Sequence, residues 1–307
     1  MSTFPETRVV IEDQGPRDGF QSESVVVPTA QKVQVVAALV EAGVRRVQVT
    51  SFVHPTYVPQ MADAEAVCKE LPSRDDVVYS GLVLNERGID RAISAGLQHV
   101  AISHSASDTH SRKNTRRGLR EAREAHATIV GRAQDAGLAI RGGVQCAFGC
   151  RYEGPIEPEA VLEMVEAQLE LGVDEIALAD STGMGDPRAI RTLIPRVIAR
   201  AEGRPVFLHL HDTEGRGMAN ALAALDVGVR HFDTAFGGMG GCPYIRGASG
   251  NIATEDLVAM AHQMGFETGI DARQVATLSR QMEEFYDHPF PGKMHRVLST
   301  PGLATLA

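Results

Sequence analysis

The chain has 307 residues, 43% of them hydrophobic and 22% charged, the balance of an ordinary folded enzyme, and its length suits either two average domains or one large α/β barrel. Its formal net charge of -9 excludes the broad basic footprint of a nucleic-acid binder and disfavours attachment to an anionic membrane. No apolar run approaches the roughly 20 residues of a membrane span, and four cysteines, Cys68, Cys146, Cys150 and Cys242, are too few and too scattered for a disulfide framework.

Taken in order, the chain opens on Met1–Glu6, which has neither a basic nor an apolar leader segment, so a reducing cytoplasm is expected. Short β-rich runs then alternate with helical patterns. The predicted strands are Val9–Asp13, Arg46–Thr50, Val77–Leu84, His99–His104, Ile140–Cys146, Glu175–Asp180, Val206–His211 and His231–Phe236. Between them, helical spacing of apolar residues marks Ala30–Ala42 (Val33, Val36, Ala37, Val40) and Glu159–Leu171 (Val161, Leu162, Val165, Leu169). Three helices end in the same signal, at Gly43, Gly137 and Gly172, each read as a left-handed C-cap leading into the next strand.

Eight βα units without a linker or composition break predict one closed (β/α)₈ barrel of the TIM type, a single domain over residues 1–307 with a C-terminal helical extension from about 265. The competitor is a doubly wound open sheet. It would favour a Gly-rich phosphate turn after the first strand, and Gln14–Gly19 is not one. After the eighth strand come helices near Glu255–Met264 and Ala272–Tyr286, then a proline-punctuated tail from His288 that either folds over the barrel or reaches a neighbouring subunit. A homo-oligomer, dimer or tetramer, is expected.

In such a barrel the chemistry collects at the C-terminal ends of the strands. His209 and His211 stand two apart at the end of the seventh, on one face and roughly 6–7 Å apart at the backbone. Two neutral imidazoles so placed can converge on one divalent cation; two hydrogen-bonded core histidines are the plainer alternative. Other strand ends add Asp18, Gln48, Thr50 and Asp180, and after the last strand come the glycine-rich segments Gly237–Tyr244 and Gly247–Asn251. An oxygen-rich set with two imidazoles suits Mg²⁺ or Mn²⁺ better than zinc. Arg17 beside Asp18 is a permanent cation, readable either as an oxyanion donor or as a surface or helix-capping arginine.

These residues carry a resemblance. Gly15-Pro16-Arg17-Asp18-Gly19-Phe20-Gln21, Thr50-Ser51-Phe52-Val53, His209-x-His211-Asp212-Thr213, Gly240-Gly241-Cys242-Pro243-Tyr244 and Gly247-Ala248-Ser249-Gly250-Asn251 resemble 3-hydroxy-3-methylglutaryl-CoA lyases, from about residue 9 to about residue 285. That family belongs to a wider group of metal-dependent barrel lyases and synthases. The resemblance implies a divalent metal held by Asp18, His209, His211 and Asn251. It also implies an enolate-stabilising role for Arg17, an acid/base role for Cys242 on a glycine-rich loop, and a proton-accepting role for Asp180. The reaction implied is cleavage of 3-hydroxy-3-methylglutaryl-CoA, or a related 3-hydroxyacyl-CoA, to acetyl-CoA and a keto product such as acetoacetate, with CoA carried by the substrate.

The chain departs from the family pattern at four positions. Gln48 replaces the second-strand glutamate, Asp13 replaces a first-strand glutamate, and Gly143 and Gln145 stand where an aromatic residue and a serine are usual. These changes fall on the expected substrate pocket and leave the metal set intact; Asn114, after the fourth strand, is read either as a further substrate contact or as part of a helix start. They keep open a larger or differently charged acyl group, citramalyl-CoA or a CoA-free hydroxy acid. A condensing synthase and a non-catalytic binding barrel are the further alternatives. The basic cluster Arg112, Lys113, Arg116, Arg117, Arg120 and Arg123 has Glu121 and Glu124 interleaved and reads as a solvated helix face, the other reading being a surface for CoA phosphates. Cys68, Cys146 and Cys150 are expected to be packing residues.

Overall fold

A computed structural model describes residues 7–242 and 245–300, with side chains for all of these except 242–248. Eight strands run parallel in sequence order: β1 (Val10–Asp13), β2 (Arg46–Ser51), β3 (Val78–Val83), β4 (His99–Ser105), β5 (Ala139–Gln145), β6 (Glu175–Asp180), β7 (Val206–Leu210) and β8 (His231–Thr234). Because β1 pairs with β8 as well as with β2, the sheet closes into a barrel and the open doubly wound alternative is excluded. Helices follow the strands: α1 (Thr29–Glu41), α2 (Ala64–Glu70), α3 (Glu86–Ser94), α4 (Asp108–Thr115), α5 (Leu119–Asp135), α6 (Pro158–Glu170), α7 (Pro187–Arg200), α8 (Gly217–Asp226) and α9 (Thr254–Gln263). Two more, α10 (Ala272–Tyr286) and α11 (Met294–Leu298), form the C-terminal addition. A separate antiparallel hairpin pairs β9 (Gly241–Cys242) with β10 (Ile245–Ser249).

Strand ends fall within two residues of the apolar runs that predict them, and Gly43, Gly137 and Gly172 take the positive φ of a C-cap (99°, 72° and 80°). One helix face is rotated from the expected one. In α1 the buried stripe is Lys32, Val35, Val36, Leu39 and Val40, so Val33 gives way to a lysine. The Lys32 ammonium accounts for this: it donates to Asp63 and to the Gln60 carbonyl, both at 2.5 Å, so its charge is satisfied beneath the helix.

The barrel interior holds a layer of charge that the apolar runs did not announce. Register sets Glu12 beside both Arg46 and Asp233, and Arg141 beside Glu175. Arg141 is buried, donates to Asp233 (2.8 Å) and to Glu12, and lies 4.5 Å over the Phe207 ring. Arg46 pairs with Glu12 (3.2 Å) and Glu175 (2.8 Å), and Ser80 donates to Glu12 (3.0 Å). Every carboxylate here has a cationic partner, the condition under which burying charge is tolerable. This layer is the floor on which the strand-end residues stand.

Candidate active site

At the C-terminal mouth of the barrel is a cavity of about 590 Å³. Its base is set by the turn after β1. There the Gln14 carbonyl accepts from the N–H groups of Arg17 (3.0 Å), Asp18 (2.7 Å) and Gly19 (3.4 Å), a wide π-type turn of the kind often found at functional sites. The turn directs two successive charged side chains into one space. Arg17 Nε donates to Gln48 Oε1 (2.5 Å), a second nitrogen donates to Gln14 Oε1 (2.5 Å), and a third meets Asp18. Gln48 therefore holds the arginine as an acceptor without neutralising it, and Asp18 is the carboxylate at its side. Asp13 anchors the start of the turn by accepting from Gly15 N–H (2.8 Å) and the Thr254 hydroxyl (2.6 Å). Burial pushes the Asp13 carboxyl up to about 7, against the lowering effect of those donors.

From β7, His209 and His211 bring their Nε2 atoms to 3.0 Å of each other. A ligand atom of Asp18 and one from each imidazole lie within 4.8 Å of one another, the spacing of a shared metal. Asn251 completes the group from the far side of the glycine-rich segment. Its backbone bridges to that of His211, and its amide nitrogen donates to Asp18 Oδ2 (2.8 Å) and to the Met239 carbonyl (2.9 Å). Gly240, at φ 108°, is required for this approach, since a Cβ there would lie 2.4 Å from the Asn251 amide nitrogen.

The donor set fits a divalent cation on observations of its own. The buried Asn251 Oδ1 has no hydrogen-bond partner among the described residues. Burial, with His209 adding to it, pushes His211 down to about 3, so the ring is neutral and its lone pair is available. Burial works against the charge on Asp18, but Arg17 foremost, with the Asn251 amide, outweighs it and holds the carboxyl at about 2, ionised at any working pH. Behind the pair, Asp233 Oδ2 lies 3.5 Å from His209 Nδ1 while its other oxygen holds Arg141, the arrangement that orients a metal-binding histidine.

The remaining expected site residues divide. Gln48, Gly143, Gln145 and Asn114 line the cavity; Gln145 donates to the Ser103 hydroxyl (2.8 Å) and accepts from Asn114 (3.3 Å). Asp180 does not line it, which corrects the expectation that it meets the substrate hydroxyl. Strand alternation gives the inward positions of β6 to Ala177 and Ala179. The Asp180 carboxylate instead lies fully buried under the following loop, accepting from Gly185 N–H (3.0 Å), and burial pushes it up to about 6. The backbone of Cys242 pairs with Ile245 in the hairpin; its side chain lies outside the described residues. Of the basic cluster, Arg112 and Arg120 form exposed i,i+4 pairs with Asp108 and Glu124, as expected of a solvated face, whereas Arg116 and Arg117 line the cavity mouth. Gln14, Arg141 and Asp233 also line the cavity and were not among the expected residues.

A closed (β/α)₈ barrel with an Asp-His-His group and a held arginine at its C-terminal mouth defines a metal-dependent barrel enzyme. Comparison with known proteins makes the assignment specific: residues 8–282 match the HMGL-like family, and the chain belongs to it. It is 36% identical over 293 residues to the hydroxymethylglutaryl-CoA lyase YngG of Bacillus subtilis, covering 95% of this chain and 98% of that one. It is 40% identical over 275 residues to the mitochondrial hydroxymethylglutaryl-CoA lyase of Bos taurus, covering 90% and 84%. Among solved structures, an HMG-CoA lyase from Acinetobacter baumannii in complex with coenzyme A and 3-methylmalate superposes with a TM-score of 0.92 at 36% identity, over 100% of both chains. The chain is thus a carbon–carbon lyase of the hydroxymethylglutaryl-CoA lyase type, and among its described residues no helix is long and apolar enough to cross a membrane.

Proposed function

We propose that the protein cleaves 3-hydroxy-3-methylglutaryl-CoA to acetyl-CoA and acetoacetate with Mg²⁺ or Mn²⁺ bound by Asp18, His209, His211 and Asn251. The observation that carries this reading is the convergence of Asp18 and the two histidines beside Arg17 in the cavity. The reaction passes the proton of the tertiary hydroxyl to a general base and breaks the C2–C3 bond. C3 is left as a ketone and C2 as the enolate of the thioester, which then takes up a proton. A divalent cation held by Asp18, His209, His211 and Asn251 would supply Lewis acidity to the reaction. Arg17, fixed by Gln48 and Gln14, is pre-oriented toward the charge that develops on the enolate oxygen. Neutral His211 and ionised Asp18 are in the protonation states that ligation needs. Cys242 is proposed as the acid that completes proton transfer to C2, and Asn114 and Gln145 as polar contacts to substrate. Asp180 acts by holding the loop after β6. Arg116 and Arg117 at the mouth suit the phosphates of a CoA thioester, and the relative solved with coenzyme A supports a CoA-bearing substrate.

A second reading concerns the acyl group. Gly143, Ala101, Ala177 and Ala179 line the wall, and Ala179 stands in register with His209. Backbone and methyl groups leave room there for a C3 substituent larger than methyl, or for a citramalyl-type chain. We place the protein in the cytoplasm, in keeping with the free thiols of Cys68, Cys146 and Cys150, and propose that it is a homo-oligomer. The test is turnover by chelator-stripped protein, with and without added Mg²⁺ or Mn²⁺, on a panel of 3-hydroxyacyl-CoA thioesters. Metal-dependent release of acetyl-CoA is expected. Full-rate cleavage of 3-hydroxy-3-methylglutaryl-CoA alone would remove the enlarged-pocket reading, and absence of cleavage on every thioester would remove the first. An unchanged rate in Cys242→Ser would take that thiol out of the mechanism.

A further inference from the structure

The C-terminal tail makes contacts that covering a barrel does not require. Past α10 the chain runs as a strap across the two roots of the glycine-rich segment that joins β8 to α9. At the entry root, Gly292 N–H donates to the Gly237 carbonyl (2.8 Å), and Glu255 accepts from Gly237 N–H (3.0 Å). Gly237 has φ 65°, and a Cβ there would lie 2.4 Å from the ring of buried Phe290. At the exit root, the Lys293 ammonium meets Asp212 Oδ2 (3.1 Å). Asp212 N–H donates to the Gly250 carbonyl (2.8 Å), and Ser249 Oγ donates to the Asp212 carbonyl (2.8 Å).

The strap is itself pinned. His295 is fully buried with one ring nitrogen 3.3 Å from Glu255 and the other 3.1 Å from Glu283, and Glu283 also accepts from Phe290 N–H (2.7 Å). Asp256 accepts from Lys293 N–H (3.0 Å) and Met294 N–H (2.6 Å). One carboxylate, Glu255, thus lies between the strap and the entry root, 3.3 Å from the His295 ring and accepting from Gly237 N–H.

We propose that residues 290–295 are a positioning element of the active site, fixing the two roots of the glycine-rich segment and through them the side chain of Asn251. The link is short: Gly237 and Gly238 lead directly to Met239, whose carbonyl accepts from the Asn251 amide, and that amide also holds Asp18. A strap that shifts Gly237 shifts the acceptor that orients Asn251. This inference rests on the reading of Asn251 as a metal ligand.

Two variants test it. Lys293→Ala removes a side chain 63% exposed and its tie to the exit root. Gly292→Val places a side chain where even a Cβ would lie 2.9 Å from the Gly237 carbonyl. Mn²⁺ affinity is read by electron paramagnetic resonance titration, kcat and KM on the thioester substrate, and folding by the melting midpoint. Arg273→Ala is the control, because Arg273 holds the end of α11 at the Leu298 carbonyl (3.2 Å), away from the roots. For Lys293→Ala, Mn²⁺ affinity and kcat are expected to fall about tenfold, the loss typical of an outer partner of a metal site, with KM and melting midpoint retained. Wild-type affinity and kcat in Lys293→Ala would overturn the proposal, as would an equal loss in Arg273→Ala. Should Gly292→Val fail to fold, Lys293→Ala decides alone. A wild-type protein that takes up no Mn²⁺ would fail the metal reading separately, and kcat would then decide the strap.

Discussion

Replacing Arg141 by methionine tests whether the charged floor of the barrel supports the site above it. The guanidinium is 1% exposed, donates to Asp233 and Glu12, and stacks on Phe207. Methionine fills most of the volume and removes the charge. Glu12 keeps its contact with Arg46 at 3.2 Å, but Asp233 loses its cation and is left facing His209. Breaking a buried ion pair from one side costs about 3–5 kcal/mol, equivalent to a fall of roughly 6–10 °C in melting midpoint at about 2 °C per kcal/mol for a large domain. The pH dependence carries the sharper test. In the wild type, burial works to raise the Asp233 carboxyl, but Arg141 and His209 hold it below its ordinary value. Its stabilisation is therefore fully present above the unfolded value and is lost only as pH falls through the depressed one. In the variant burial acts without Arg141 and the carboxyl rises, so its cost grows as pH rises through the new value. Thermal melts of both proteins in chelator, from pH 5 to pH 8, are expected to diverge toward pH 8. A gap that is constant across that range, or below about 1 kcal/mol, would refute the assignment of Arg141 as the cation that neutralises this layer.

Other expectations follow from the same geometry. Asp13→Asn should raise stability at pH 8 and leave it unchanged at pH 4, because a carboxyl raised from 3.8 to about 7 loses stability as pH climbs between those values; matched denaturant melts at the two pH values check this. Gln48→Leu removes the acceptor for Arg17 Nε, a hydrogen bond to a charged group, and should cost about 10–100-fold in kcat/KM at about 1.5–3 kcal/mol, visible in steady-state kinetics. At Gly143 a Cβ would meet Ser103 Cβ at 2.7 Å and disturb the hydroxyl that Gln145 holds. Gly143→Ala should therefore raise KM, and raise it more for thioesters with a longer C3 substituent, in a paired-substrate assay.

The barrel was legible because its signals are local. Apolar runs of strand length, helical spacing and the glycines that end three helices, Gly43, Gly137 and Gly172, are read without knowledge of any neighbour. The metal pair was legible for the same reason, since two residues apart on a strand means one face. Arg17, Asp18 and Gln48 also sit together as their motif implies. What was not legible depends on partners distant in sequence. Glu12, Arg141 and Asp233 lie on three different strands, and only the closed register shows that they neutralise one another. A charge inside a predicted strand was the available signal. Asp180 was expected in the cavity because a strand-end position does not say which way the last residue points; Ala177 and Ala179 take the inward positions of β6. The rotated face of α1 turns on Lys32, whose burial is intelligible only with Asp63 beside it.

Asp18, His209, His211 and Asn251 are proposed to share one divalent cation. A crystal of the protein grown with Mn²⁺ and measured at the manganese absorption edge tests it directly. The expected result is one anomalous peak per chain with the oxygens of Asp18 and Asn251 and the Nε2 atoms of both histidines around it, at about 2.0–2.3 Å, the range of such bonds. A peak elsewhere, or Mn²⁺ absent from this group while the lyase turns over in the same solution, would contradict the account.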